Sequence, residues 1–245
     1  MFSLIKKRPF LKDLIPGNYT DIHSHLMPGI DDGAKNEQDT FFLIGELSSI
    51  GFARFITTPH VMSNVWENTR SGIESKLEST TKALVKNGIH APVRAAAEYI
   101  LDSNFVNLFA SEPLLTLKGQ YVLVEMSYLN PPIQLYQIIF DLQVAGYKPI
   151  LAHPERYLFY HYNFEEYNKL KNSGCLFQLN LLSIVGYYGA AVAETAKKLL
   201  AKGLIDFTGS DVHHENHINA FKRRITIKDV KPLKAAMENN KEFEF

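Results

Sequence analysis

The stretch that decides the fold runs from Ile133 to His153: Ile-Gln-Leu-Tyr-Gln-Ile-Ile-Phe-Asp-Leu-Gln-Val-Ala-Gly-Tyr-Lys-Pro-Ile-Leu-Ala-His. Ile133–Val144 reads as a helix, Gly146 as its C-terminal cap, and Lys148–Ala152 as a strongly buried strand that delivers His153. The same unit recurs on both sides. Helices expected over Glu37–Ser49, Asn68–Lys86, Phe164–Asn172 and Ala190–Ala201 are closed by Gly51, Gly88, Gly174 and Gly203. They lead into strands expected over Arg54–Thr58, Val93–Tyr99, Leu176–Asn180 and Leu204–Gly209. Tyr19–Ser24 and Tyr121–Met126 bring the strands to seven, and Asp229–Glu242 reads as a closing helix. Alternation of this kind implies βαβ units and a parallel sheet. The expected fold is a single α/β domain, a distorted seven-stranded (β/α)7 barrel over residues 19–245. Residues 1–18 form an N-terminal extension, expected to pack on the bottom of that domain.

Bulk properties narrow the function. With 46% hydrophobic residues, a chain of 245 residues can bury a sizeable core. Twenty-six basic and 26 acidic residues balance, with no basic run, so nucleic acid is not an expected partner. A single cysteine excludes an intramolecular disulfide and fits a reducing compartment. No apolar run approaches the ~20 residues of a transmembrane helix, and the N-terminus lacks the pattern of a secretory leader. The expected location is therefore the cytoplasm.

Titratable residues cluster at strand ends. His23 and His25 end the first strand, His60 follows the second, and Glu98 and Glu125 end the third and fourth. His153 follows the fifth, and Asp211 and His213 follow the seventh; the sixth offers only Gln178 and Asn180. Unpaired burial of even one such group is costly, so a core has no use for the set. In a parallel barrel these ends converge on one face, where active sites are built. His23 and His25 are two apart on a strand and point the same way. Asp31 and Asp32 can each be a ligand or a cap for the helix beginning near Asn36. His60 reads equally as ligand or loop histidine, and Arg94 is the structural alternative as partner for Glu98 or Glu125. Mixed His and carboxylate donors without thiolate fit Mn, Fe or Zn. Four carboxylates against three divalent ions leave about +2, suited to an anionic phosphate, whereas two ions leave roughly zero.

Asp21-Ile-His-Ser-His25, Asp31-Asp-Gly33, His60, Ala97-Glu-Tyr99, Glu125, Ala152-His-Pro-Glu-Arg156 and Ser210-Asp-Val-His213 resemble the PHP (polymerase and histidinol phosphatase) superfamily. Within it they are most similar to the bacterial capsule-associated metal-dependent protein-tyrosine phosphatases. That resemblance implies three divalent metal ions. One would take His23, His25, Glu98 and Asp211; a second Glu98, Glu125 and His153; a third Asp32, His60 and His213. It also implies that Arg156 contacts substrate phosphate, and that the partner is a phosphotyrosine-bearing protein such as a bacterial tyrosine kinase of a polysaccharide synthesis and export system. Two stretches depart from the pattern. Val61-Met-Ser-Asn64 lacks basic residues, and His214-Glu-Asn-His217 lacks an arginine. His214 and His217 either replace that function or are solvated loop residues.

The expected activity is metal-dependent phosphomonoester hydrolysis. Its alternatives are a small-molecule phosphatase, such as one for histidinol phosphate, a metal-stabilised regulatory module without turnover, and an amidohydrolase-like reaction. Thiol chemistry is excluded on spacing: it needs arginine six residues after the cysteine, and Leu181 stands there relative to Cys175. Cys175 is expected to be a small buried hydrophobe.

Overall fold

The computed structural model describes residues 7–245; the first six residues of the expected N-terminal extension lie outside the described residues. The chain runs through β1 (Tyr19–Asp21), α1 (Glu37–Ser49), β2 (Phe52–Thr57), β3 (His60–Val61), α2 (Arg70–Lys86), β4 (Val93–Ala95) and β5 (Glu98–Ile100). It continues through α3 (Ser103–Ser111), β6 (Tyr121–Glu125), α4 (Leu135–Val144), β7 (Lys148–Ala152), α5 (Glu165–Asn172) and β8 (Leu176–Asn180). The final elements are α6 (Ala190–Ala201), β9 (Phe207–Gly209), α7 (Glu215–Ala220) and α8 (Lys231–Asn239).

All strand pairings are parallel, in an α/β fold with two sheets ordered β1-β2-β4 and β3-β5-β6-β7-β8-β9. This differs from the expected single ring of seven strands. The third expected strand is broken at Ala96-Ala97 and gives one segment to either sheet; after the second, the chain breaks at Thr58-Pro59 and resumes as β3 in the other sheet. Pro59 has no N–H to donate and interrupts the ladder. The chain stays hydrogen-bonded through the breaks, with Ala96 N donating to Thr57 O (2.9 Å) and Glu98 N to Pro59 O (3.1 Å). On the far side, Asp211 N donates to His23 O (2.7 Å) and His25 N to Val212 O (3.0 Å) beside a parallel Ser24–Val212 bridge.

The core follows from strand alternation. Ile22, Ile56, Ala96, Leu123, Ile150 and Phe207 point inward and pack together, closed by Phe243. Intervening residues such as Val122, Val124 and Leu151 face the helices. β7 is buried on both faces from Pro149 to Ala152, as parallel strands covered by helices are. Asn36 caps α1, accepting from Asp39 N (3.0 Å), so neither Asp31 nor Asp32 serves that role. The five glycines expected to close helices all have positive φ. α3 and α7 were not expected; α3 begins at Asp102, whose carboxylate accepts from Phe105 N (2.8 Å). The closing helix ends at Asn239, and buried Asn240 donates to Thr208 O and Thr20 O. Leu11 is buried in the core, with its N–H on Arg223 O (3.0 Å).

Candidate metal centre

Strand register brings the candidate ligands together. His60 opposes Glu98 between β3 and β5, and Ile100 opposes Glu125 between β5 and β6. His153 and Asp211 leave their strands with positive φ (36° and 50°), a turn that aims their side chains back across the strand ends. Close backbone approach is essential beside them. A Cβ on Gly209 would lie 2.6 Å from His23 Cβ, and one on Gly33 2.4 Å from His25 Cβ.

Hydrogen bonding fixes the imidazole tautomers. His23 Nδ1 lies 2.7 Å from the Gln178 amide oxygen and His25 Nδ1 lies 2.7 Å from Asp31 Oδ2, so both donate through Nδ1. Their Nε2 atoms then carry lone pairs, yet stand 3.4 Å apart. His23 Nε2 is 3.1 Å from Glu98 Oε2 and 3.3 Å from Asp211 Oδ1; His25 Nε2 is 3.4 and 3.5 Å from the same oxygens. With both rings neutral, four acceptors converge without a proton among them. Such a set requires either two imidazolium rings or a cation. Ligand atoms about 2.1 Å from one ion sit roughly 3.0–3.4 Å apart, matching these separations. Glu98 Oε2 and His153 Nδ1 are also buried without a hydrogen-bond partner. The donor set fits divalent metal.

All nine expected ligands are gathered here, in overlapping groups that can each hold an ion: His23, His25 and Asp211; His23, Glu98 and His153; His60, Glu98 and Glu125; and His25, Asp32, His60 and His213. Some of the close contacts join residues that the resemblance assigns to different ions. Glu125 sits with His60, whose Nδ1 is 3.0 Å from Glu125 Oε1 and whose Nε2 is 3.4 Å from Asp32 Oδ1. His153 sits with Glu98 Oε1 (3.1 Å) and His23. Charge coupling is strong. Burial and His25 oppose protonation of His60, but the carboxylates of Glu98, Asp32 and Glu125 outweigh them and push it up to about 10. Burial would raise Glu98 and Asp211, but His23 and other histidines hold both well below the carboxylate range. Burial beside Glu98 raises Glu125.

The model of the capsular polysaccharide synthesis family CpsB/CapC matches residues 19–228. The chain belongs to that family. It is 29% identical over 195 residues to the tyrosine-protein phosphatase YwqE of Bacillus subtilis (strain 168), covering 79% of this chain and 77% of the relative. It is 24% identical over 200 residues to the tyrosine-protein phosphatase CpsB of Streptococcus agalactiae, covering 79% and 82%. A solved structure from work on YwqE of Bacillus subtilis and CpsB of Streptococcus pneumoniae, described as metal-dependent tyrosine phosphatases, aligns with a TM-score of 0.77. That alignment has 28% identity and covers 91% of this chain and 87% of the other.

In this CpsB/CapC chain the cluster of histidines and carboxylates lines a cavity of about 610 Å³, together with Arg156. Arg156 Nη1 donates to Asp211 Oδ2 (2.7 Å), and the guanidinium packs over the rings of Tyr188 (4.2 Å) and Tyr128 (4.8 Å). His217 is not a solvated loop residue. It is buried, its Nδ1 accepts from His213 N (3.1 Å), and burial pushes it down to about 3, so it is a neutral wall. His214 and His90 are exposed, and His161 lies 2.8 Å from Glu155 O. Arg94 packs over Phe245, so it is no partner for Glu98 or Glu125. Cys175 is buried, its thiol pushed up to about 12 by burial. Sequence reasoning missed the supporting residues. Asp31 holds His25, Gln178 holds His23, and Asn180 Nδ2 donates to Asp211 Oδ2 (2.8 Å). The signal for the last two was present: amides at strand-end positions where neighbouring strands place ligands.

Proposed function

We propose that this protein is a metal-dependent phosphotyrosine phosphatase acting on a protein of a capsular polysaccharide synthesis system, such as a tyrosine kinase, in the cytoplasm. The observation that carries the proposal is the convergence of His23 Nε2 and His25 Nε2 on Glu98 Oε2 and Asp211 Oδ1, at 3.1–3.5 Å, beside the half-buried Arg156. The proposal includes three divalent ions (Mn, Fe or Zn) on His23, His25, Asp32, His60, Glu98, Glu125, His153, Asp211 and His213. It also treats residues 19–245 as one PHP-type domain, in which the two sheets and the Ser24–Val212 bridge together act as a distorted seven-unit barrel.

Bound metal supplies Lewis-acid stabilisation of phosphoryl oxygens and a nucleophile from water at neutral pH. The chain's own residues do the rest. Asp31 and Gln178 hold two imidazoles with their Nε2 lone pairs inward. Arg156 spends Nη1 on Asp211, and among the described residues its other N–H groups have no protein acceptor. They are available for a planar grip on phosphate. Tyr128 and Tyr188 restrict the guanidinium, so little freedom is lost on binding. A tyrosine phenolate leaves with a pKa of about 10, which lessens the need for a general acid.

The test is to measure bound metal, then turnover of a phosphotyrosine peptide and of histidinol phosphate, before and after chelation. Peptide turnover abolished by chelation and restored by metal is expected. Turnover indifferent to chelation sinks the mechanism, preference for histidinol phosphate moves the substrate to the small-ester class, and tight metal without turnover favours a regulatory module.

A further inference from the structure

A second cavity of about 500 Å³ opens beside the metal pocket, between the end of β3 and α3. Met62, Trp66 and Ile100 line both cavities, so the two are continuous across one wall. That wall is a rigid turn. Met62 and Trp66 exchange both backbone hydrogen bonds (2.9 and 2.8 Å), and Asn64 between them takes a left-handed φ of 64°. Inside, the cavity is apolar, with Val61, Phe105 and Leu108; its polar rim includes Glu67, Asp102 and Glu112, and no lysine or arginine lines it.

Resting on the protein-phosphatase reading above, we propose that this cavity is a specificity subsite for a lysine or arginine flanking the phosphotyrosine. The chemistry selects that occupant. A long aliphatic stem matches the apolar floor and the face of Trp66, while a cationic head reaches the carboxylates at the rim. An acidic neighbour meets three carboxylates and no lysine or arginine among the lining residues. The phosphate itself is directed elsewhere, to the metals and Arg156, so the two cavities divide the peptide by charge. This accounts for Val61-Met-Ser-Asn64, where basic residues were expected and none stands: the segment lines a cation-accepting subsite and is not part of the phosphate grip.

The test uses matched phosphotyrosine peptides with Lys, Ala or Glu at the two positions on either side, assayed on the metal-loaded protein at low salt. At one position kcat/KM for Lys is expected to exceed that for Glu about tenfold, mainly through KM, as one or two exposed charge pairs and a cation–π contact allow. Glu67→Gln with Glu112→Gln should flatten the series and leave hydrolysis of p-nitrophenyl phosphate unchanged. Asp102 is left intact because it caps α3. The chain has one tryptophan, and Trp66 lines both cavities, so the difference in its fluorescence between matched Lys and Glu peptides reports the subsite. Equal kcat/KM across the wild-type series, or a preference that survives the double substitution, overturns the subsite. If p-nitrophenyl phosphate is hydrolysed but no peptide is, the protein-phosphatase reading fails separately. The subsite is then decided by Trp66 titration alone: saturable changes ordered Lys over Glu uphold it, and identical titrations overturn it.

Discussion

Asp31→Asn is the sharpest probe of how the centre is held. Asp31 is buried and accepts three hydrogen bonds, from His25 Nδ1 (2.7 Å), Gly33 N (3.0 Å) and His60 N (3.2 Å). Burial alone would raise its pKa, but His25 and Gly33 N pull it below the usual value. Asparagine is nearly the same size and can satisfy only one side. With its oxygen toward Gly33 N, its NH₂ confronts two donors, His25 Nδ1–H and His60 N–H. With its oxygen toward the histidines, Gly33 N loses its acceptor. The first arrangement drives His25 to the other tautomer, placing hydrogen on the Nε2 that faces Glu98 and Asp211. Loss of such an orienting partner typically costs 10–100-fold in metal affinity, about 1.4–2.7 kcal/mol. Competition titration against a chromophoric chelator measures this directly, with thermal melting as a control for folding. Excess metal should restore much of the lost activity. Affinity within twofold of wild type would refute the assigned tautomer and with it the argument for a cation.

Gly209→Ala forces a Cβ against His23 Cβ (2.6 Å) and Gln178 Nε2 (2.7 Å). It should destabilise the protein by about 1–3 kcal/mol and lower metal content, read by denaturant melts and elemental analysis. Arg156→Ala should lower kcat/KM for phosphotyrosine peptides by roughly 10²–10³, while leaving metal content near that of wild type; unchanged rates would remove Arg156 from the phosphate grip. Cys175→Ala should retain full phosphatase activity, and iodoacetamide should not inactivate the native protein, because burial holds the thiol at about 12. Metal must displace the proton that His60 holds up to about 10. Apparent metal affinity should therefore rise with pH, up to tenfold per unit below about pH 10 for that one proton, and weaken on acidification. Calorimetry in two buffers of different ionisation enthalpy counts the protons released, and a count of zero would contradict the raised value.

Much of this was readable along the chain because the signals are local. α1, α6, β7 and β8 lie where expected, since a periodic helix, a closing glycine and a short apolar strand each declare themselves over a few residues. The ligands were readable for an energetic reason: histidines and carboxylates ending apolar strands must be compensated, whatever the fold. Neighbours in space were not readable. Nothing in Asp31-Asp32 tells which carboxylate turns inward to His25 and which faces His60 and His213, because adjacent side chains diverge and the loop path decides. The ladder breaks at Pro59 and Ala96-Ala97 depend on how two sheets meet, and α3, though amphipathic, is only nine residues long. The contact of Glu125 with His60 was equally hidden, because register and side-chain reach set it. Residue types alone placed histidines and carboxylates that need compensation at particular strand ends. Tertiary structure alone set which lone pairs meet, since tautomer and distance are properties of residues as remote in sequence as His23 and Gln178.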